Sequence, residues 1–147
     1  MKKTNHGIYL MKPFLSKSGE TLRNQINAAF PDRDKRSDGW IGDSRHQSTK
    51  SDHNPCVSTG AVRAIDVDRD LGGPANNAYY LANQLRTLAK KDKRISYIIY
   101  NGKIASRILF WKWRKYSGDP HTSHVHISFT PLGDNDKRKF KLPILGE

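Results

Sequence analysis

The sequence predicts an α+β fold, a small and mostly antiparallel sheet with helices packed around it. Three observations carry that expectation. Two stretches repeat apolar residues at helical spacing, an Asn-Gly dipeptide joins two β-rich runs, and a short run, HVHISF, is closed by Pro131. Residues 18 to 30 read as the first helix: Ser18 serves as its cap, Leu22, Ile26 and Phe30 recur every four residues, and Pro31 ends it. The polar, turn-rich stretch from Pro31 to Cys56 is too long for an idle connection and is expected to build a site. Val62 to Val67 reads as a short buried strand. A second helix is expected from Pro74 or Ala75 to Lys90, with proline in its first turn and Ala78, Leu81, Leu85, Leu88 and Ala89 on one face. Ile95 to Tyr100, the turn Asn101-Gly102 and Lys103 to Ile108 form a hairpin, because Asn-Gly suits a tight turn whose central residues need positive φ. His124 to Phe129 is the last strand. The chain reads as one domain, 1–147, with about 15 N-terminal residues and the stretch after Pro131 expected to be peripheral.

A chain of 147 residues has room for one core, and three Trp, six Tyr and five Phe supply anchors for it despite a hydrophobic fraction of only 35%. No stretch approaches the roughly 20 consecutive apolar residues of a spanning helix. With Cys56 as the one cysteine, no intrachain disulfide forms, so the fold needs no oxidising compartment. Lysine and arginine exceed aspartate and glutamate by 26 − 14 = +12, which points to polyanionic surroundings: nucleic acid, anionic lipid or the acidic polymers of a bacterial wall. Arg86 to Lys115 holds ten of the basic residues and only Asp92 as an acid, and is either a binding face or an ordinary solvated surface. Trp111 and Trp113 alternate with Lys112 and Arg114, as a stacking surface or a half-buried strand would. The N-terminus begins with two lysines but lacks the continuous apolar core of a secretory signal, so the chain is expected to stay in the cytoplasm where it is made.

Five of the six histidines fall in two windows: His46 and His53 in the long loop, and His121, His124 and His126 around the last strand. Histidine is both the commonest zinc ligand among side chains and the usual proton shuttle near neutral pH. Residues two apart on a strand share a face, so His124 and His126 project together, as do Ala64, Asp66 and Asp68 on the earlier strand. If those strands are close, a carboxylate meets an imidazole, and His53 from the loop completes a His-Asp-His set with an open fourth position. Each residue also has a plainer explanation. His53 sits in good turn chemistry, Asp66 is within reach of Arg63 or Arg69, His-Val-His suits an edge strand, and Cys56 reads as a small buried thiol.

Together these windows resemble a known family. Ser51-Asp52-His53 followed by Gly60, Ala64 and Asp66 looks like the Ser-x-His … Gly-x-Ala-x-Asp element of the LAS superfamily of zinc peptidases, which includes lysostaphin-type enzymes and D-Ala-D-Ala carboxypeptidases. His124-Val125-His126 is similar to its closing His-x-His. The runs DGWIGDSRHQ, SDHNP, AIDVD, YIIYNGKI and GDPHTSHVHIS resemble phage and prophage endolysins of that superfamily, across residues 20 to 130. The resemblance implies one zinc ion held by His53, Asp66 and His126 on the sheet face, and hydrolysis of a cell-wall stem-peptide amide by zinc-activated water. Many relatives carry Asp or Glu three residues before the last ligand as general base, where this chain has Ser123. The pattern His121-x-x-His124-x-His126 resembles instead the murein endopeptidase branch, which implies His124 as base or transition-state partner, with His121 assisting. Arg33, Arg45 and His46 are candidates to orient substrate, a guanidinium being suited to a carboxylate, and Tyr116 to hydrogen-bond an oxyanion. The expected partner is peptidoglycan, reached after release from the host cytoplasm by a chain that needs no partner subunit. The competing reading is a nucleic-acid-binding or metal-dependent nuclease domain, motivated by the charge and the interleaved aromatics; a wall-binding module that has lost catalysis is another, kept open by Ser123.

Overall fold

The computed structural model describes residues 2–3, 9–42 and 51–146. Its strands are β1 (Lys2–Lys3), β2 (Tyr9–Leu10), β3 (Phe14–Leu15), β4 (Ala61–Val62), β5 (Ala64–Asp68), β6 (Ile95–Tyr100), β7 (Lys103–Ser106), β8 (Arg114–Lys115) and β9 (His124–Phe129). Its helices, among the described residues, are α1 (Lys17–Ala29) and α2 (Asn77–Ala89). Five strands form one sheet in the order β5-β9-β6-β7-β8, antiparallel throughout, while β1 pairs with β2 and β3 runs parallel to β4 in two small separate sheets. The chain is therefore α+β, as its patterning predicts.

Local chemistry accounts for each element. The β6–β7 hairpin turns at Asn101 and Gly102, whose φ values of 51° and 78° are the positive pair that an Asn-Gly turn requires. Helix α1 starts two residues earlier than its periodicity suggests. Ser16, not Ser18, is the cap, its hydroxyl accepting from the Gly19 amide at 3.1 Å, and Ser18 lies inside the first turn, where it donates to the Asp136 carbonyl. The expected strand from Val62 to Val67 is two strands of different sheets, broken at Arg63, whose N–H bonds the Asp52 carbonyl and whose carbonyl accepts from Phe129. Of the two readings of Trp111 and Trp113, a stacking surface or a half-buried strand, the strand is not found: the stretch is an irregular loop. Phe110 and Trp111 have φ of 56° and 59°, which no strand accommodates, and only Arg114–Lys115 beyond them pairs with β7.

The sheet has two unlike faces. Ile65, Val67, Val125 and Ile127 join Ile98 in the apolar core, into which α1 sends Leu22 and Ile26 and α2 sends Leu81 and Leu85. By the two-residue period, Asp66, His124, His126 and Ser128 fall on the other face.

The stretch after Pro131 is not peripheral. Phe140 and Leu142 are almost wholly buried in the core, and Gln25 on α1 brackets Phe140, its Nε2 donating to the Phe140 carbonyl at 2.8 Å and its Oε1 accepting the Phe140 N–H at 2.9 Å. Asp134 forms a two-pronged pair with Arg63 at 2.7 and 2.8 Å. The sequence hides this because an isolated Phe and Leu among lysines and prolines show no period. Replacing Phe140 with Ala is expected to cost about 3–5 kcal/mol of stability, measured by urea unfolding, because it opens a large cavity beneath α1; a loss under about 1 kcal/mol would return the tail to the periphery.

Candidate metal centre

The antiparallel register of β5 on β9 sets Asp66 opposite His126 and Asp68 opposite His124. Directly opposed side chains on one face lie within about 5.5 Å at Cβ, and here the Asp66 and His126 side chains meet, Asp66 Oδ1 lying 3.1 Å from His126 Nδ1. The loop before β4 brings in the third residue, with His53 Nε2 3.2 Å from Asp66 Oδ2. One ligand atom from each of His53, Asp66 and His126 lies within 4.8 Å of the other two, so the cluster can hold a metal ion. These are the three residues named from the sequence.

Their surroundings fix how they present those atoms. His53 Nδ1 donates to the Trp40 carbonyl at 2.8 Å, so the lone pair stays on Nε2 and faces Asp66. His126 Nε2 lies 2.7 Å from the Ser128 hydroxyl, which leaves Nδ1 for the cluster. The Asp66 backbone is held on both sides, by β9 and by an antiparallel bridge to Gly39. Tyr97 of β6 stacks its ring on His126, centroids 5.5 Å apart and planes 16° from parallel. Sequence reading missed Trp40, Ser128 and Tyr97. Ser128 had a signal, two residues beyond His126 on the same face; Trp40 acts through a backbone carbonyl, which no residue type announces.

Electrostatics keep the set ready for a cation. Burial opposes ionisation of Asp66, yet the hydrogen bonds and charges of His126 and His53 outweigh it and hold the carboxyl well below the usual range. For His126 burial dominates over the attraction of Asp66, and the ring is pushed toward its neutral form. His53 goes the other way. Its burial is outweighed by the bond and charge of Asp66, with the Trp40 carbonyl helping, so it keeps a second proton to higher pH than an ordinary imidazole.

Two further histidines border the cluster. His124 Nε2 lies 3.6 Å from Asp66 Oδ1 and its Nδ1 lies 3.1 Å from the Ser123 hydroxyl. Burial, with the charge of His121 beside it, lowers its pKa against the pull of Asp66. His121 stands edge-on to both His124 and His126, with centroids 4.9 and 5.4 Å away. Its Nδ1 donates to the Asp119 carbonyl, so its Nε2 is the free acceptor, and its φ of 52° is a left-handed conformation costly outside glycine. Tyr116, 6.2 Å from the His121 ring, joins the same rim.

Other expected site residues fare differently. Asp68 turns away, accepting from the Ser37 hydroxyl at 2.6 Å and from the Asp70 amide at 2.8 Å, so it builds the loop. Arg33 is not free to hold a substrate carboxylate. Its side chain is buried and spent on Asp38 in a two-pronged pair, on Asn27 and on the Asp34 carbonyl. Arg45 and His46 lie outside the described residues. Arg63 pairs with Asp134 and leaves Asp66 to the imidazoles.

No family model matches the sequence, and no curated protein or solved structure matches it either. The site therefore rests on its own geometry.

Equilibrium dialysis of metal-stripped protein against divalent transition-metal ions is expected to give close to one ion per chain, abolished by His53→Ala and weakened about 10- to 100-fold by Ser128→Ala, which frees the His126 ring. Protons compete for His53 Nε2, and its pKa is raised by the bond and charge of Asp66 against the effect of burial, so metal affinity should begin to fall at a higher pH than for an ordinary imidazole site. For Arg33→Met the expected outcome is a loss of about 3–5 kcal/mol in urea unfolding, since it strands Asp38 in a partly buried pair, with metal binding unchanged.

Proposed function

We propose that the protein is a zinc-dependent peptidoglycan peptidase that hydrolyses an amide bond in the stem peptide of the bacterial wall. The observation that supports it is the convergence of His53, Asp66 and His126 on one point of the sheet face, with His124 and His121 along one side. Two imidazoles and one carboxylate are the donor set of a hydrolytic zinc site, with one coordination position left for water or substrate. They suit oxygen-loving magnesium poorly, which disfavours the nuclease reading. Zinc bound there supplies Lewis acidity toward a carbonyl and makes water acidic near neutral pH.

The remaining chemistry belongs to the chain. His124 is neutral at neutral pH, with Nε2 on the cluster side, so it can take a proton from the attacking water. The imidazolium formed lies beside the Asp66 carboxylate, whose charge stabilises it while the amide is attacked. Returning that proton to the departing amine completes the cycle, so that water is split between a new carboxyl and a new amino end. His121, its Nδ1 committed to Asp119, offers Nε2 as a second acceptor and orients His124 by its edge contact. To Tyr116, whose ring lies 6.2 Å from that of His121, we assign donation of a phenol proton to the oxyanion that develops on the carbonyl. Ser123, where a carboxylate base is absent, holds the ring of His124 through Nδ1.

Digestion of purified peptidoglycan should release new amino ends and no new reducing sugar ends, followed by amine labelling and mass spectrometry of the fragments. Reducing ends instead would make the protein a glycosidase and sink the proposal. His124→Ala is expected to keep its zinc and lose about 10²- to 10⁴-fold in rate, whereas His53→Ala should lose metal and activity together.

A further inference from the structure

From Lys93 to Gly118 the chain carries no carboxylate and seven cations, of which Arg94 is buried in pairs with Asp92 and Asp136. Within that stretch, between β7 and β8, one loop puts two large apolar side chains almost entirely into water: Ile108 is 84% exposed and Phe110 79%. Their neighbours Arg107, Lys112 and Arg114 are exposed as well. Loops normally hide such residues or do without them, and contiguous exposed apolar groups ringed by polar ones mark interaction surfaces.

The display is enforced by the backbone. Phe110 and Trp111 hold successive left-handed conformations, φ 56° and 59°, where a bulky residue is a genuine outlier. The loop is rigidly based. Trp111 is buried, its N–H donates to the Ser106 carbonyl at 2.9 Å, Arg86 grips its carbonyl at 2.8 Å, and Trp113 donates through its indole to Asn83 on α2. Trp111 thus anchors the loop in the core while Ile108 and Phe110 stay exposed. Ile108 lines a cleft of about 330 Å³ together with Ile95, Tyr97 and Trp111, and Lys93 and Arg107 are also in its wall.

We infer that this loop docks the protein onto an anionic lipid bilayer, with Ile108 and Phe110 entering the interface and the surrounding lysines and arginines meeting the headgroups. The charge sets the sign of the partner, and the apolar pair sets its nature. Nucleic acid and wall polymers present phosphate but no hydrocarbon to receive an isoleucine, whereas the boundary of a bilayer offers both. A second copy of the chain is disfavoured by a net charge of +12 on each. The inference is independent of the metal centre.

The test is co-sedimentation of the full chain with vesicles of phosphatidylcholine alone and of phosphatidylcholine mixed with phosphatidylglycerol. Binding is expected only to the anionic vesicles, weakening as salt rises from about 0.1 M to about 1 M and screening shortens from about 10 Å to about 3 Å. The double variant Ile108→Ser, Phe110→Ser should lose at least about tenfold in partitioning, since each side chain gives up apolar burial, with its zinc content and thermal midpoint unchanged. Arg107→Glu with Lys112→Glu should lose more, at about fivefold or greater per charge. Should the serine variant fold poorly, Phe110→Trp supplies a gain of signal, a blue shift of emission with anionic vesicles only. Equal binding of wild type and serine variant, equal binding to neutral vesicles, or a tryptophan at position 110 that stays water-exposed on vesicles would each overturn the inference. So would retention on DNA or wall polymer that surpasses the anionic vesicles and survives the serine changes.

Discussion

The register between β5 and β9 is the constraint on which the site depends. Because side chains alternate with a period of two, a slip of β5 by one residue would send Asp66 into the core and bring Ile65 out to the solvent face, and a slip of β9 would do the same to His126 and Ile127. The apolar halves of the two strands forbid that slip: Ile65, Val67, Val125 and Ile127 have nowhere else to go than under the helices. The same burial that stabilises the fold therefore aligns the carboxylate with the imidazole. Around that fixed pair, a loop need deliver only one more ring, His53, and the Trp40 carbonyl determines which of its nitrogens faces inward.

Much of this was legible in the sequence, for a definite reason. Helices and strands with one buried face leave a periodic record, so both helices, the hairpin and the last strand are found close to where the patterning puts them. The pairing of the Asp66 and His126 faces is likewise a matter of period two and needed only adjacency of the strands. What periodicity cannot show is a contact made across more than a hundred residues by a segment without a pattern, such as Phe140 held by Gln25. Nor can it show where a charged side chain finds its partner. Arg33 reads as an available guanidinium by type, and Asp38, five residues on, consumes it. The loop at Phe110 is the sharpest case: alternating aromatic and basic residues suit a half-buried strand as well as a stacking surface, and two successive left-handed residues remove the strand.

The histidines around Asp66 divide their labour by environment rather than by type. His126 is nearly sealed from water and made neutral by burial, His53 is made more basic by the carboxylate it touches, and His124 at the rim is left neutral yet close enough to that carboxylate to gain from being protonated. One anionic side chain thus pulls on the proton affinity of three rings, prevailing in His53 and yielding to burial in His126 and His124, which is economical and also fragile. Removing it would disturb every one of them at once.

Strand β9 comes last among the strands of the sheet in chain order yet lies between β5 and β6. A growing polypeptide cannot close this sheet from either side until residue 129 exists, and α1 waits for its bracket at residue 140. Assembly is consequently late and cooperative, and dominated by distant pairings that slow it. A half-made chain holds no half-made centre, because His126 arrives only with the strand that closes the sheet.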